Sequence, residues 1–85
     1  MIKVRRRKDS WKVYDGAYLM YKIVSNPRTD IVEIESYNQA LIPNLVIRSG
    51  RMLLGTMVHY NKELNSLYID TGYNDILMQY KGETQ

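Results

Sequence analysis

Apolar and polar residues alternate along most of this chain in short runs, and each run meets a turn signal before a helix of ordinary length could be completed. Alternation puts every second side chain on the same side of an extended backbone, so it marks a half-buried β-strand. Ile2 and Val4 alternate with Lys3 and Arg5, and Asp9-Ser10 then reads as a turn. Trp11 to Tyr14 is a short strand closed by Asp15-Gly16, a hairpin signal because glycine enters the left-handed region without steric cost. Ala17 to Val24 follows, with Ala17, Leu19, Tyr21 and Ile23 on one face and Tyr18, Met20, Lys22 and Val24 on the other. A turn at 25–30, with Pro27 set for its corner, leads into Ile31 to Glu35. Glu33 and Glu35 there face away from Val32 and Ile34 and invite cations on the neighbouring strand.

The second half repeats this logic. Leu45 to Arg48 predicts a strand, Ser49-Gly50 a turn, and Arg51 to Tyr60 a longer strand bent at Gly55. Asn61 to Asn65 is a polar loop, Ser66 to Asp70 a strand, and 71–75 a turn. Residues 76–81 predict a last strand, with a helix over 73–81 as the alternative. Ser36-Tyr37-Asn38-Gln39 has capping-box spacing, but Pro43 limits any helix to a turn or two. The expected architecture is all-β or nearly so: a small antiparallel barrel or meander with a short helical turn near 36–42, and the second half a meander of its own. Its 85 residues predict a single domain, 1–85, opening with a basic strand over 1–12.

That strand holds the charge. Residues 1–12 carry Lys3, Arg5, Arg6, Arg7, Lys8 and Lys12 against the single acid Asp9, whereas the remainder, with six basic and eight acidic residues, is net negative. A basic arm on a near-neutral body fits a nucleic-acid partner. The same charges also read as protection of an exposed edge strand against aggregation. Eight tyrosines and one tryptophan supply surfaces for stacking bases or for a protein interface.

Several chemistries are excluded. Without cysteine there is no disulfide, thiol nucleophile or thiolate zinc site, and one histidine leaves zinc mainly carboxylates. The five glycines stand singly, so no phosphate loop or dinucleotide fingerprint is present. His59 has no nucleophile or orienting acid identifiable by motif, and reads as a partly buried structural histidine. Glu33 and Glu35 read as a solvated face. The chain is therefore expected to be no enzyme and to need no cofactor.

Residues 50–70 resemble the first motif of the Sm-like RNA-binding family. Gly50 and Gly55 match its spaced glycines, and Leu53 and Met57 its apolar positions; Asn61 stands where that family has aspartate, Leu64 for its methionine and Asn65 for its asparagine. Tyr80-Lys81-Gly82-Glu83-Thr84 resembles a degraded second motif. The resemblance implies a bent antiparallel barrel assembled into a ring that holds single-stranded, often uridine-rich RNA. Asn65 would then hydrogen-bond a base, and Lys81 would lie over a base or meet a phosphate. Glu63 stands where the family has its stacking aromatic, and residues 1–44 have no counterpart in it. Read without the family, Gly50 and Gly55 serve a turn and a bend, and Asn61 and Asn65 are turn residues.

The leading expectation is a non-enzymatic module for nucleic acid, single-stranded RNA first. Its site residues are Arg5, Arg6, Arg7, Lys8, Lys12, Asn61, Asn65 and Lys81. The alternatives are a structural subunit of a larger particle, such as a virus head or tail, and a small protein inhibitor or adaptor. A cysteine-free domain this small is expected to self-associate. No apolar run is long enough to span a bilayer, and no apolar stretch follows the basic Met1 to Lys8. A cytoplasmic location is expected, or one within a virus particle, with no membrane partner.

Overall fold

The structure, a computed structural model, describes residues 1–37, 43–50, 55–72 and 75–80. The described residues form eight strands: β1 Ile2–Arg7, β2 Ser10–Asp15, β3 Tyr18–Asn26, β4 Ile31–Ser36, β5 Asn44–Ser49, β6 Met57–Asn61, β7 Ser66–Thr71 and β8 Asp75–Tyr80. The all-β expectation holds, and residues 75–80 are strand rather than helix. Ser36 completes β4 instead of starting a helical turn, and residues 38–42 lie outside the described residues. The expected strand over 51–60 begins only at Met57; Gly55 lies in a bend, and 51–54 are outside the described residues.

Pairing departs from a purely antiparallel meander. The strands form a five-stranded sheet, β1-β2-β3-β4-β8, and a three-stranded sheet, β5-β7-β6. β1 to β4 do run as an antiparallel meander, because short turns join each to the next. β8, however, lies parallel to β4, and β5 parallel to β7. Parallel neighbours need a crossover connection. The chain between β4 and β8 supplies one by building the whole second sheet, and the β5-to-β7 connection contains β6. The second half is therefore no separate meander: its last strand completes the first sheet.

The turns follow their residues. Gly16 sits at φ 59, as the hairpin signal requires. The β1–β2 turn is Lys8-Asp9 with Lys8 at φ 53, and Ser10 already belongs to β2, where its hydroxyl donates to the Arg7 carbonyl at 2.9 Å. In the β3–β4 loop the Asn26 side chain accepts from the Arg28 amide at 3.0 Å.

The two sheets pack around Trp11, Val13, Met20, Tyr21, Ile23, Val32 and Ile34 from the larger and Leu67 and Ile69 from the smaller. Met20 corrects the expected face pattern of its strand. Val13 pairs with Tyr21 but Tyr14 with Leu19, so Met20 is an extra residue in the ladder. This bulge breaks the alternation and lets Met20 and Tyr21, neighbours in sequence, both be buried. Between the sheets, Thr56 Oγ1 lies 3.0 Å from Ser25 Oγ and 3.3 Å from Thr71 Oγ1, all three side chains buried. With one proton, Thr56 donates to one hydroxyl and accepts from the other, tying β3 to β7. Among the described residues no buried side-chain nitrogen or oxygen lacks a partner.

Candidate nucleic-acid interface

Strand alternation divides the basic arm between two faces. In β1, Ile2, Val4 and Arg6 face inward, while Lys3, Arg5 and Arg7 face outward and are exposed. Register then carries the outward row across the sheet. Arg5 lies opposite Lys12, and Lys12 opposite Lys22 of β3. Three cations therefore stand side by side on three adjacent strands, with Lys3 and Arg7 on either side of Arg5 along β1. Lys3 pairs with Tyr14, whose ring is covered by the Arg5 guanidinium 5.7 Å from its centroid. None of these five cations makes an ion pair among the described residues.

The row ends at Glu35, opposite Lys22; of the two glutamates expected to face a cation, only this one does. The Glu35 carboxylate accepts a 2.6 Å hydrogen bond from the Tyr37 hydroxyl. That hydrogen bond is the main reason the Tyr37 hydroxyl titrates above its ordinary value, and partial burial and the Glu35 charge add to it. Glu33 faces Val24, so the sheet's outer face changes from basic at β1–β3 to acidic at β4.

Arg6 and Lys8 do not join this row. The Arg6 guanidinium lies over the Trp11 ring at 5.4 Å, and its Nε donates to the Lys8 carbonyl at 3.0 Å. Lys8 is exposed in the hairpin turn. Asn61 and Asn65 are on the other sheet, at the β6–β7 turn. The Leu64 amide donates to Asn61 Oδ1 at 3.1 Å, and the Tyr60 hydroxyl to Asn65 Oδ1 at 2.6 Å. Asn65 adopts φ 48, a left-handed conformation that asparagine tolerates. Both side-chain oxygens thus have partners within the turn. Lys81 lies outside the described residues.

The outer face of the smaller sheet holds a cluster that no motif announced. Arg48 Nε and Nη2 donate to the two Asp70 carboxylate oxygens at 2.6 and 2.9 Å. His59 Nε2 lies 2.9 Å from Asp70 Oδ2, and its ring stacks on Tyr68 with centroids 5.1 Å apart and planes 9° from parallel. The Arg48 guanidinium covers Tyr68 at 4.6 Å. The Arg48 hydrogen bond is the largest influence on the Asp70 carboxyl and holds it below the ordinary aspartate value; partial burial opposes this and the His59 contact adds to it. The same bond raises the Arg48 value. His59 is thus not the partly buried residue expected, since 45% of its side chain is exposed. Asp70 is an orienting acid for it, but Ser66 on that face of β7 donates its hydroxyl to the Leu64 carbonyl at 3.1 Å. The cluster clamps β5, β7 and β6 together. Its one legible signal was the alternation of Tyr68 and Asp70; its partners come from parallel register, which sequence alone does not give.

Family models, curated proteins and solved structures were all compared with this chain, and none of them matches it.

Proposed function

We propose that the protein is a non-enzymatic module that binds single-stranded nucleic acid, RNA in the first instance, on the outer face of β1–β3. The observation that carries it is the row Arg5–Lys12–Lys22. Like charges directly opposite one another on adjacent strands destabilise a sheet. Edge protection explains cations on β1 but not on β2 and β3, which are covered on both sides by neighbouring strands. A polyanion lying across the row relieves the repulsion and gains counterion release. An open sheet face with Tyr14 among the cations suits a flexible strand whose bases are accessible. The test is titration of a fluorescent oligoribonucleotide at several salt concentrations. If all five outward cations engage, the slope of log K against log salt should approach about −3.5, at ~0.7 per contact. A slope near zero, or no binding at low salt, overturns the proposal.

A second reading, a subunit of a larger assembly, is favoured by β8. It is the last strand of its sheet, and Leu77 and Met78 on it are 56% and 45% exposed. Sedimentation over a range of concentrations separates the two readings: an oligomer without affinity for nucleic acid favours assembly.

A further inference from the structure

The edges of the two sheets meet where β1 contacts β6, and a cleft of about 230 Å³ opens there, lined by Val4, Arg6, Trp11, Thr56, Met57 and Val58. It is smaller than the roughly 300–1,000 Å³ pockets that take drug-sized ligands, so it suits a single planar ring rather than a whole nucleotide. Val4, Met57 and Val58 give it an aliphatic side, Met57 at the rim is 58% exposed, and Trp11 below is 4% exposed. Among the described residues that line it, Arg6 supplies the one cation. Its guanidinium lies over Trp11, the residue as a whole is exposed, and its Nε bond to the Lys8 carbonyl holds it there. Such a plane is a platform on which an unstacked base can lie. The cleft lies on the inward side of the same strand whose outward side carries Lys3, Arg5 and Arg7.

Resting on the interface reading above, we propose that this cleft is a nucleobase subsite. A single strand follows the basic edge of β1 with its phosphates on the outward cations. One of its bases turns over the edge, stacks on the Arg6 guanidinium and packs its rim against Met57 and Val58. Arg6 is then separated from the other arginines because it holds a base while they hold phosphates.

Trp11 is the only tryptophan in the chain and lies directly beneath Arg6, so it reports the event. The full chain is titrated with an oligoribonucleotide and with a ribose-phosphate strand of equal length lacking bases, following anisotropy and selectively excited Trp11 emission. The base-bearing strand should bind about tenfold tighter, the equivalent of one stacked base, and it alone should change the emission. Arg6→Gln should abolish both the preference and the optical change while lowering the salt slope by no more than about 0.7. Met57→Glu, at an exposed rim position, should do the same by excluding the base, with melting curves confirming that both variants fold. If both strands bind wild type equally and Trp11 is silent, the subsite is wrong and the interface stands. If the optical change survives in both variants, the subsite is also wrong. If neither strand binds, subsite and interface fall together.

Discussion

On the outer face of the three-stranded sheet, Arg48 meets Asp70 through two hydrogen bonds and lies on Tyr68, with His59 completing the set. On the outer face of the five-stranded sheet, Arg5, Lys12 and Lys22 stand in one row with no acid between them. The same residue types are used in opposite senses. The smaller sheet spends its charges on itself: three strands are clamped by groups that need nothing further. The larger sheet sets Arg5, Lys12 and Lys22 side by side and accepts the repulsion, with an acid opposite the row only at its end, where Glu35 faces Lys22. A face that is internally satisfied is a structural device, whereas the internally frustrated one is the face on which the proposed nucleic-acid interface rests.

The sharpest way to break this contrast is to neutralise the row. Arg5→Gln, Lys12→Gln and Lys22→Gln combined should lower the magnitude of the salt slope for single-stranded RNA by about 2, at ~0.7 per cation lost. The melting temperature should hold or rise, since like-charge contacts are removed. A fall in melting temperature with an unchanged slope would show that the row is structural after all.

Next in size is the β6–β7 turn. Asn65→Ala removes the acceptor of the Tyr60 hydroxyl and puts a side chain without Asn's local hydrogen bonding at φ 48. A loss of roughly 1–2 kcal/mol in stability is expected, with RNA affinity unchanged. Lower affinity for uridine-rich RNA at unchanged stability would instead give Asn65 the base-reading role that the Sm-like resemblance implies.

Smaller again is the clamp. Asp70→Asn should lower the melting temperature by a few degrees and leave RNA binding alone, because exposed ion pairs contribute little individually. Its signature is in pH. The Asp70 carboxyl is held below the ordinary value of 3.8. Its contribution is therefore complete above the pH at which an unfolded aspartate titrates, and is lost as the pH falls through the lower folded value. Wild type should lose more stability than Asp70→Asn as the solution is acidified below about pH 4. Parallel acid-melting curves for the two proteins would remove the clamp from the account.

Local chemistry explains what was legible. Alternation located the strands, and Asp15-Gly16 fixed a hairpin, because both act over a few residues. A cation opposite each glutamate of β4 was expected from the hairpin, and it is met at Glu35, which faces Lys22, but not at Glu33, which faces Val24. What was illegible depends on partners distant in the chain. Nothing near Arg48 announces Asp70, because the parallel register of β5 and β7 is set by how the sheets assemble. The Met20 bulge inserted one position, so Leu19 pairs with Tyr14 on the outward face instead of sharing the face of Tyr21, which a strict period of two cannot foresee. The basic arm was legible as charge, but its division into an outward row and an inward Arg6 required the strand to be placed against β2 and β6.

The parallel partnership of β4 and β8 also orders events in time. Ile31 pairs with Asp75, 75 − 31 = 44 positions away, whereas β1 to β4 each pair with a sequence neighbour. Closing long loops is slow relative to hairpins, so β8 should be the last strand to arrive. Until it does, β4 is a bare edge next to a finished hairpin, a template for joining another chain. Glu33 and Glu35 lie on that edge, where inserted charge discourages such joining. In pulse-labelled hydrogen exchange during refolding, the β2–β3 amides should become protected before those of β8, and Glu33→Val should increase aggregation during that interval more than it changes the final stability.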